Sequence, residues 1–366
     1  MRKKLLMISR AVEPPWDEAS KNLVRDISNI LDDYQFHILT TGNTKNGKEN
    51  IVNKKIYSKW KLTLFQKLRL VFFLIRKRTD YDLYHFCFTP EPLTSFLSNV
   101  LIDKRKKIWS LPYISLQLSK KNIRKLAENT SVMTVTSEFS KEIFKDGGVC
   151  NVEVVYPGVD LEIFKPTNKS KTHKEEGTFT VFFPGDISKD AIIIAVESII
   201  KETVLRTTSV NFIVASRIKK MGDARRKNGL KDRLDKAGLQ NRIRFIEGVK
   251  DMPALLADCD LVIYPHFEDF GKKIDIPYIV VEAMACGKPV LISDRRPLNE
   301  VMKNGAGMAV STDNPYEFAK AIIKLNEDRQ FANNLGMRNR QVTEMYFDIN
   351  KNMKRFASIY KKVLCV

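Results

Sequence analysis

Apolar and polar positions follow two alternating rhythms along the whole of this chain. Short, nearly continuous apolar runs are typical of strands buried on both faces. Between them lie longer stretches in which apolar residues recur every three or four positions, as they do on one face of a helix. Strands and helices that alternate in this way indicate parallel sheets covered by helices, so the chain is predicted to belong to the α/β class.

The pattern predicts strands in both halves of the chain. Those of the first half are Leu5–Ser9, Phe36–Thr40, Leu83–Phe86, Ile108–Ser110, Val132–Thr136 and Val152–Val155. Those of the second half are Thr180–Phe183, Val210–Ala215, Arg244–Ile246, Leu261–Tyr264, Val290–Ser293 and Met308–Val310. Helices are predicted between them, including Ser20–Leu31 and Ser137–Phe144, and a helical tail, Phe347–Val363, has no strand after it.

The length of 366 residues is enough for two domains, each with its own core. Residues 166–178 are polar, lack periodicity and carry Pro, Asn, Ser and Thr, which is typical of a linker. We therefore predict a first parallel α/β domain over residues 1–165, a linker over 166–178, a second parallel α/β domain over 179–345 and a C-terminal helix over 346–366.

Residues 275–290, Asp-Ile-Pro-Tyr-Ile-Val-Val-Glu-Ala-Met-Ala-Cys-Gly-Lys-Pro-Val, form the most informative segment. Asp275 as a cap and the helix-compatible Pro277 predict the start of a short apolar helix. Gly287 is suited to end that helix in a left-handed conformation, and Pro289 prevents its continuation. The segment therefore predicts a helix that leads directly into the next strand.

The same segment carries a possible nucleotide site. The first turn, at Pro277, Tyr278 and Ile279, presents amide protons and the positive end of the helix dipole, which attract phosphate. Glu282 lies about one turn further on, where its carboxylate is placed to accept hydrogen bonds from ribose hydroxyls. The alternative is an ordinary buried helix–strand unit in which Glu282 points to solvent.

Four other informative stretches precede this segment along the chain. They are Val154–Pro166, Phe182–Gly185, Arg244–Val249 and Leu255–Pro265. Together with residues 275–290 they resemble the retaining glycosyltransferases of family 4 (glycosyl transferase group 1), which have the GT-B fold. The resemblance extends over nearly all of residues 1–345, and its specific parts are residues 275–290 and the joining segment Val154–Pro166.

This resemblance implies an architecture and an activity. Two Rossmann-like parallel-sheet domains would face each other across a cleft, with the C-terminal helix crossing back to pack on the N-terminal domain. The chain would move a sugar from a nucleotide-sugar donor to an acceptor with retention of anomeric configuration. The donor would bind the C-terminal domain, through Glu282, Pro277, Tyr278, Ile279, Gly185 and Val249, and the acceptor the N-terminal one.

The leaving diphosphate needs positive charge, because negative charge grows on it as the glycosidic bond breaks. Many family members carry an arginine just after the glycine of the first donor-domain strand. Here Asp186 follows Gly185, and Lys189 is the nearest cation. Arg217 and Lys273 are the predicted replacements, with Lys189 as a weaker contributor; the alternative for each is a solvated surface charge. No cofactor or metal is expected, because no paired carboxylates stand at metal-binding spacing.

The remaining predicted site residues depart from the family pattern. Family members often carry an acid before the helix glutamate that contacts the sugar hydroxyls. Here the candidate is Asp275, which lies one residue away from that position, and the alternative role for it is to cap the helix. In the first domain the loop before Ser20 has no glycine, and Ser20 is expected to cap the helix that follows it. His85, at a predicted strand end, is the remaining catalytic candidate there, although a structural role is the alternative. Glu91 is a candidate for positioning an acceptor hydroxyl.

The formal net charge of +19 implies an anionic partner, although a lysine-rich proteome accounts for part of it. No nucleic-acid module is visible, so nucleic acid is not expected. Residues 54–78 carry nine cations and no acid, and Phe65, Leu68 and Phe72 fall on one helical face. This pattern predicts a basic amphipathic helix that binds an anionic membrane surface. The alternative is that its apolar face packs on the first domain's sheet.

Cysteine usage bears on location. The five cysteines are scattered, without a Cys-x-x-Cys pair, which favours a reducing cytoplasm and predicts neither a disulfide framework nor structural zinc. The apolar run at the N-terminus is too short for a signal peptide. We therefore expect a cytoplasmic protein, peripheral on the inner face of the cell membrane, with a glycan or lipid-linked acceptor. The alternatives are a non-catalytic GT-B partner protein and a sugar-nucleotide epimerase or hydrolase.

Overall fold

The computed structural model describes most of the chain in two compact units. The described residues are all except 1, 15, 17, 43–47, 59–62, 91, 114–119, 168–176, 186, 188, 217, 219–220, 267–275, 311–313 and 366, and the side chains of 92, 93, 120, 122 and 123. The N-terminal unit comprises Met1–Gly158 and Ile349–Val366, and the C-terminal unit comprises Val159–Phe270 and Ile276–Asp348. The structure therefore divides the chain at Gly158, a few residues before the boundary predicted at residue 165.

The N-terminal unit is a parallel sheet covered by helices. Its strands are β1 (Lys3–Ile8), β2 (Tyr34–Thr40), β3 (Ile51–Lys55), β4 (Leu83–Cys87), β5 (Lys107–Ser110), β6 (Val132–Val135) and β7 (Val152–Val154). They lie in the order β3-β2-β1-β4-β5-β6-β7. The helices between them are α1 (Ala19–Ile30), α2 (Leu64–Lys77), α3 (Pro92–Leu101), α4 (Lys120–Glu128) and α5 (Glu138–Asp146).

The C-terminal unit repeats the architecture with a second parallel sheet. Its strands are β8 (Phe179–Phe183), β9 (Val210–Ser216), β10 (Ile243–Glu247), β11 (Leu261–Tyr264), β12 (Val290–Ser293) and β13 (Met308–Val310), in the order β10-β9-β8-β11-β12-β13. Its helices are α6 (Asp190–Val204), α7 (Met221–Lys236), α8 (Met252–Ala257), α9 (Tyr278–Ala285), α10 (Pro315–Glu327) and α11 (Arg329–Tyr346). The two sheets confirm the predicted α/β class.

The last helix, α12 (Ile349–Leu364), belongs to the N-terminal unit. Met353, Phe356 and Tyr360 are buried in one apolar cluster with residues of β1, β2 and α1. Burying a large apolar side chain contributes about 1.5–3 kcal/mol, so this face holds the helix on the unit. The prediction that the C-terminal helix packs on the N-terminal domain is confirmed.

The predicted strands all correspond to observed ones, and β11, β12 and β13 end where they were predicted to end. One strand was missed. Strand β3 lies at the edge of its sheet and reads Ile-Val-Asn-Lys-Lys, with most of its residues only half-buried. A strand with so little apolar character carries almost no periodicity signal.

The expected cap of α1 is wrong. The helix begins one residue earlier than predicted, so Ser20 lies inside its first turn, and the N-cap residue is Glu18. No side chain of the N-cap bonds to the helix, because the Glu18 carboxylate pairs with Arg10 Nη1 at 2.6 Å. The Ser20 side chain is buried, and its predicted place on the acceptor side stays a prediction.

None of the helices in the described part of the chain is both long and apolar enough to span a bilayer.

Candidate active site

The carboxyl edge of the C-terminal sheet contains a topological switch point. Strands β8 and β11 are neighbours at the centre, and the chain proceeds outward from them in opposite directions, through β9 and β10 on one side and β12 and β13 on the other. In open parallel sheets, ligands bind at the carboxyl ends of the strands beside such a point. Gly185, Val249 and the start of α9 all follow carboxyl ends of strands in this sheet.

The turn after β8 requires glycine. The Gly185 amide donates to the Ala215 carbonyl at 3.0 Å, which ties the turn to the end of β9. A Cβ at residue 185 would lie 2.0 Å from the Phe183 ring, so no side chain fits there without a rearrangement. Lys189, half-buried, is the N-cap residue of α6 just beyond this turn. Gly185, whose backbone carries no side chain, and Lys189, a cation, therefore both follow the strand β8 beside the switch point.

Helix α9 presents its N-terminus at the same edge. The N-cap residue is Pro277, and no N-cap side chain bonds to the first turn. The N-cap residue therefore lies two residues after Asp275, the predicted cap, and the helix itself begins at Tyr278. Tyr278 and Ile279 are half-buried in the first turn, where backbone amides and the helix dipole favour an anion.

Glu282 is a carboxyl of the C-terminal unit whose pKa the structure shifts upward. It is half-buried, and burial raises the pKa of its carboxyl from 4.5 to about 7. No described residue makes a hydrogen bond or salt bridge to its side chain. Its helix neighbours Val281 and Ala283 are fully buried and apolar. A carboxyl that is desolvated without a partner is costly, and such groups are concentrated at ligand sites.

Helix α11 holds α9, and therefore Glu282, in place. A Cβ at Gly336 of α11 would lie 2.1 Å from the Gly287 carbonyl oxygen, so the two segments touch backbone to backbone. Arg340 Nη1 donates to the Ala285 carbonyl at 2.8 Å, and Asn339 Nδ2 donates to the Lys288 carbonyl at 2.7 Å. These bonds satisfy carbonyls at the C-terminal end of α9.

The prediction that Gly287 ends α9 in a left-handed conformation is confirmed. Gly287 has a φ of 69°, and the Lys288 amide donates to the Ala283 carbonyl at 3.0 Å, which is a left-handed helix end. The α11 residues that clamp α9 were missed. Their signal is the spacing of Gly336, Asn339 and Arg340, which places small and polar groups on one face of a helix.

Two serines at the carboxyl edge were also missed. The Ser293 hydroxyl, at the end of β12, accepts a hydrogen bond from the His266 amide at 2.6 Å, which fixes the backbone after β11. The Ser216 hydroxyl, at the end of β9, is buried and has no hydrogen-bond partner in the described structure. A single serine at a strand end carries no sequence signal of such a role.

His85 lies in the core of the N-terminal unit. It is fully buried on β4, and both ring nitrogens have partners: Tyr360 Oη at 2.7 Å from Nδ1 and Ser110 Oγ at 2.6 Å from Nε2. Burial lowers the pKa of its imidazole from 6.5 to about 3, so the ring is neutral. This environment supports the structural alternative, and a catalytic role for His85 stays an untested prediction.

The other predicted site residues divide into two groups. Val249 is half-buried after Gly248, whose φ of 59° turns the chain at the end of β10. The predictions for Lys273, Arg217, Asp275 and Glu91 lie outside the described residues. Within the described residues no cluster of His, Cys, Asp or Glu could hold a metal ion, and metal independence stays a prediction.

Two Rossmann-like parallel-sheet domains, the second with a topological switch point at the carboxyl ends of its strands, define a protein of the GT-B fold. A solved structure of the Anabaena protein HepE, in complex with UDP and glucose, matches with a TM-score of 0.74 at 20% identity, covering 99% of this chain and 100% of that one. Residues 164–342 match the family model described as Glycosyl transferases group 1. The matched residues fall almost entirely within the C-terminal unit.

Curated relatives match over part of their length. The D-inositol 3-phosphate glycosyltransferase of Mycobacterium marinum is 30% identical over 179 residues, 47% of this chain and 36% of the relative. The N,N'-diacetylbacillosaminyl-diphospho-undecaprenol alpha-1,3-N-acetylgalactosaminyltransferase of Campylobacter jejuni is 27% identical over 123 residues, 33% of this chain and 31% of the relative. The alignments thus span about a third of the length of these two relatives.

Proposed function

We propose that this protein is a glycosyltransferase that moves a hexosyl-type sugar from a nucleotide-sugar donor to an acceptor with retention of anomeric configuration. One observation carries the proposal. Glu282, a carboxyl whose pKa burial raises to about 7 and to which no described residue donates, lies one turn into a helix at the carboxyl edge of the sheet whose residues match the Glycosyl transferases group 1 model. Ribose hydroxyls would supply the hydrogen bonds that the protein does not.

The proposed chemistry depends on electrostatic stabilisation of the leaving diphosphate. The first turn of α9 would contact the phosphates through its amides, and the glycine turn after β8 would let the backbone approach them. Lys273 and Arg217 would supply the positive charge, with Lys189 as a weaker contributor, and Asp275 would hold the sugar hydroxyls. Fixed cations that act on developing charge lower the barrier without a metal.

The comparisons suggest the classes of donor and acceptor. The Anabaena protein HepE was crystallised with UDP and glucose, which supports a uridine diphosphate sugar as the first donor to test. The Campylobacter relative is named for a diphospho-undecaprenol acceptor, which supports a glycan or lipid-linked acceptor here. We propose a cytoplasmic location in which the basic N-terminal unit meets an anionic membrane surface and orients the acceptor.

A second candidate function is a non-catalytic GT-B protein that binds a nucleotide sugar or a partner. Its support is the absence of the arginine that many relatives carry after the glycine equivalent to Gly185, where this chain has Asp186. Such a protein would still bind a nucleotide at Glu282 but would not turn over a donor. Turnover therefore separates the two candidates.

The primary experiment is calorimetric titration of UDP into the wild type and Glu282→Gln. Loss of a charge-assisted hydrogen-bond acceptor costs about 1.5–3 kcal/mol, so the affinity should fall about ten- to a hundredfold. Glu202→Gln is the matched control, because this partly exposed glutamate pairs with Arg206 near the C-terminal end of α6. Equal affinity of Glu282→Gln and wild type would remove Glu282 from the site.

A second arm measures release of UDP from UDP-sugars in the presence of pooled glycan and lipid-linked acceptors. Turnover by the wild type, reduced more in kcat than in donor affinity by Lys273→Ala, is the expected result. Nucleotide binding without turnover would favour the non-catalytic candidate. Normal kcat in Lys273→Ala would place the diphosphate clamp elsewhere.

A further inference from the structure

Helix α2 of the N-terminal unit has its apolar side turned outward. Five of its large apolar side chains are between 47% and 70% exposed, namely Leu64, Phe65, Leu68, Phe72 and Ile75, whereas Leu70, Val71 and Phe73 are half-buried. The side that packs on the unit buries Gln66, whose Nε2 donates to Ser58 Oγ at 3.3 Å, and Leu74. The structure therefore contradicts the alternative that this apolar face packs on the sheet.

The neighbouring helix α3 extends the exposed apolar surface. It carries no charged residue, and Phe96 and Val100, four positions apart on one face, are 62% and 66% exposed. Helices α2 and α3 pack against each other. We call the exposed apolar side chains of α2 and α3 the α2–α3 surface. Large exposed apolar patches on a soluble fold mark interaction sites.

A groove on α2 combines apolar and cationic walls. It is lined in part by Phe65, Leu68 and Phe72 together with Arg69 and Arg76. The Arg76 guanidinium lies over the Phe72 ring, 5.5 Å from its centroid. Guanidinium groups placed at the border of an apolar patch are suited to contact phosphate oxygens while the patch itself leaves water.

The charge pattern selects the partner. The helix and its C-cap carry Lys67, Arg69, Arg76, Lys77 and Arg78, and no acid lies between Thr63 and Arg78. Lys77 pairs with Asp80 just after the helix, at 2.7 Å. Two copies joined through this surface would bring their arginines together, which is unfavourable. A surface that is both apolar and anionic complements it.

We propose that the α2–α3 surface docks the protein on anionic lipid membranes. The apolar side chains enter the boundary between headgroups and acyl chains, and Arg69 and Arg76 contact the headgroup phosphates. Each such cation strengthens binding by about 1 kcal/mol, or about fivefold in affinity. This docking rests on the membrane contact in the proposed function and names the surface that makes it. It is tested without a sugar nucleotide, so a failure of docking is distinguishable from a failure of sugar transfer.

The experiment is co-sedimentation with phosphatidylcholine vesicles, with and without phosphatidylglycerol, at low and high salt. Wild type should bind the anionic vesicles and lose binding in high salt. Phe65→Ser/Leu68→Ser/Phe72→Ser should bind at least about tenfold more weakly because its apolar insertion is lost. Arg69→Gln/Arg76→Gln should lose about twenty-fivefold. All substituted side chains are exposed, so circular dichroism should show an unchanged fold.

Matched controls lie in the C-terminal unit. Leu205→Ser/Met221→Ser removes two apolar side chains that are 79% and 85% exposed, and Lys231→Gln/Lys236→Gln removes two exposed cations of α7. Both controls should bind like wild type. Absence of vesicle binding by wild type, or equal binding by the triple serine variant, would overturn the proposal. So would a wild-type dimer in analytical ultracentrifugation that the triple variant dissociates, because the surface would then be an interface between copies.

Discussion

Each unit of this protein contains an ionisable side chain whose pKa burial shifts strongly, His85 in one unit and Glu282 in the other, and the hydrogen bonding of the two groups is opposite. His85 of the N-terminal unit has a partner for each ring nitrogen, and its pKa is lowered to about 3. Glu282 of the C-terminal unit has no partner among the described residues, and its pKa is raised to about 7. Burial favours the neutral form of both groups.

The difference lies in hydrogen bonding. The Tyr360 hydroxyl on α12 and the Ser110 hydroxyl on β5 complete the hydrogen bonds of His85, so this histidine joins the last helix to the sheet. No described residue donates to the Glu282 carboxylate, and the burial that raises the pKa of this group to about 7 disfavours its charged form in the free protein. A buried side chain whose hydrogen-bonding atoms all have protein partners is expected to have a structural role. One that lacks such partners at the carboxyl edge of a sheet is expected to bind a ligand. Three experiments test this comparison.

The largest effect is expected on acidification of the N-terminal unit. The pKa of His85 is lowered from 6.5 to about 3, so its contribution is present above pH 6.5 and is lost as the pH falls toward 3. The free energy of unfolding should decrease by about 3–5 kcal/mol over that range. Tryptophan fluorescence in urea reports this unit, because all three tryptophans, Trp16, Trp60 and Trp109, lie in it.

The variant His85→Gln isolates this contribution. It should lower stability at neutral pH but flatten the acid dependence, while His37, whose pKa is lowered to about 4, continues to titrate. An unchanged slope in His85→Gln would show that His85 is protonated in the folded state or is not buried, and the comparison would fail.

A smaller loss is expected from Gly336→Ala. The added methyl group would meet the Gly287 carbonyl oxygen, so α11 must move away from α9. We expect a loss of about 2–3 kcal/mol, seen in the unfolding of the C-terminal unit by circular dichroism, and weaker binding of UDP. Gly229→Ala in α7 is the matched control, since only the flexible Arg233 side chain is near and alanine should stabilise that helix by about 0.5–1 kcal/mol.

If Gly336→Ala lowers stability but leaves UDP affinity unchanged, then the α11 clamp does not position the site. If it is as stable as wild type, the backbone contact between the two segments is absent in solution.

The smallest expected effect is a gain in stability. Because the folded pKa of Glu282 is raised from 4.5 to about 7, its burial reduces stability progressively as the pH rises from 4.5 to 7. Glu282→Gln should therefore unfold like wild type at pH 4 and be more stable by about 1–3 kcal/mol at about pH 8. Saturating UDP should reverse that order. Identical pH profiles for the two proteins would show that Glu282 is solvated or paired.

Much of the fold was predictable because buried parallel strands are continuous apolar runs. Strands β11, β12 and β13 were predicted at their observed ends, and so was the glycine end of α9. The edge strand β3 was missed because half-burial requires few apolar residues. The helix cap at Ser20 was misplaced, because the helix begins before this serine and the Glu18 carboxylate at the N-cap bonds to Arg10.

The candidate site was predictable in part. The helix and Glu282 carry a recognisable local pattern, and their position at the carboxyl edge follows from the order of strands. The partners of these groups were not predictable. His85 bonds to a tyrosine 275 residues further along the chain, and the carbonyls of Ala285 and Lys288, at the end of α9 and just beyond it, bond to Arg340 and Asn339 on another helix. Such pairings depend on which elements pack together.

The sequence by itself determined the alternation of strands and helices, the glycine turns and the amphipathic character of α2, because these depend on residues that are close along the chain. Only the tertiary structure decided which way each amphipathic face points and which buried polar groups find partners. The apolar face of α2 could have covered the sheet, but Gln66 and Leu74 face the unit and Phe65, Leu68 and Phe72 face solvent. Burial and hydrogen-bond satisfaction are properties of packed neighbours, and periodicity alone does not specify those neighbours.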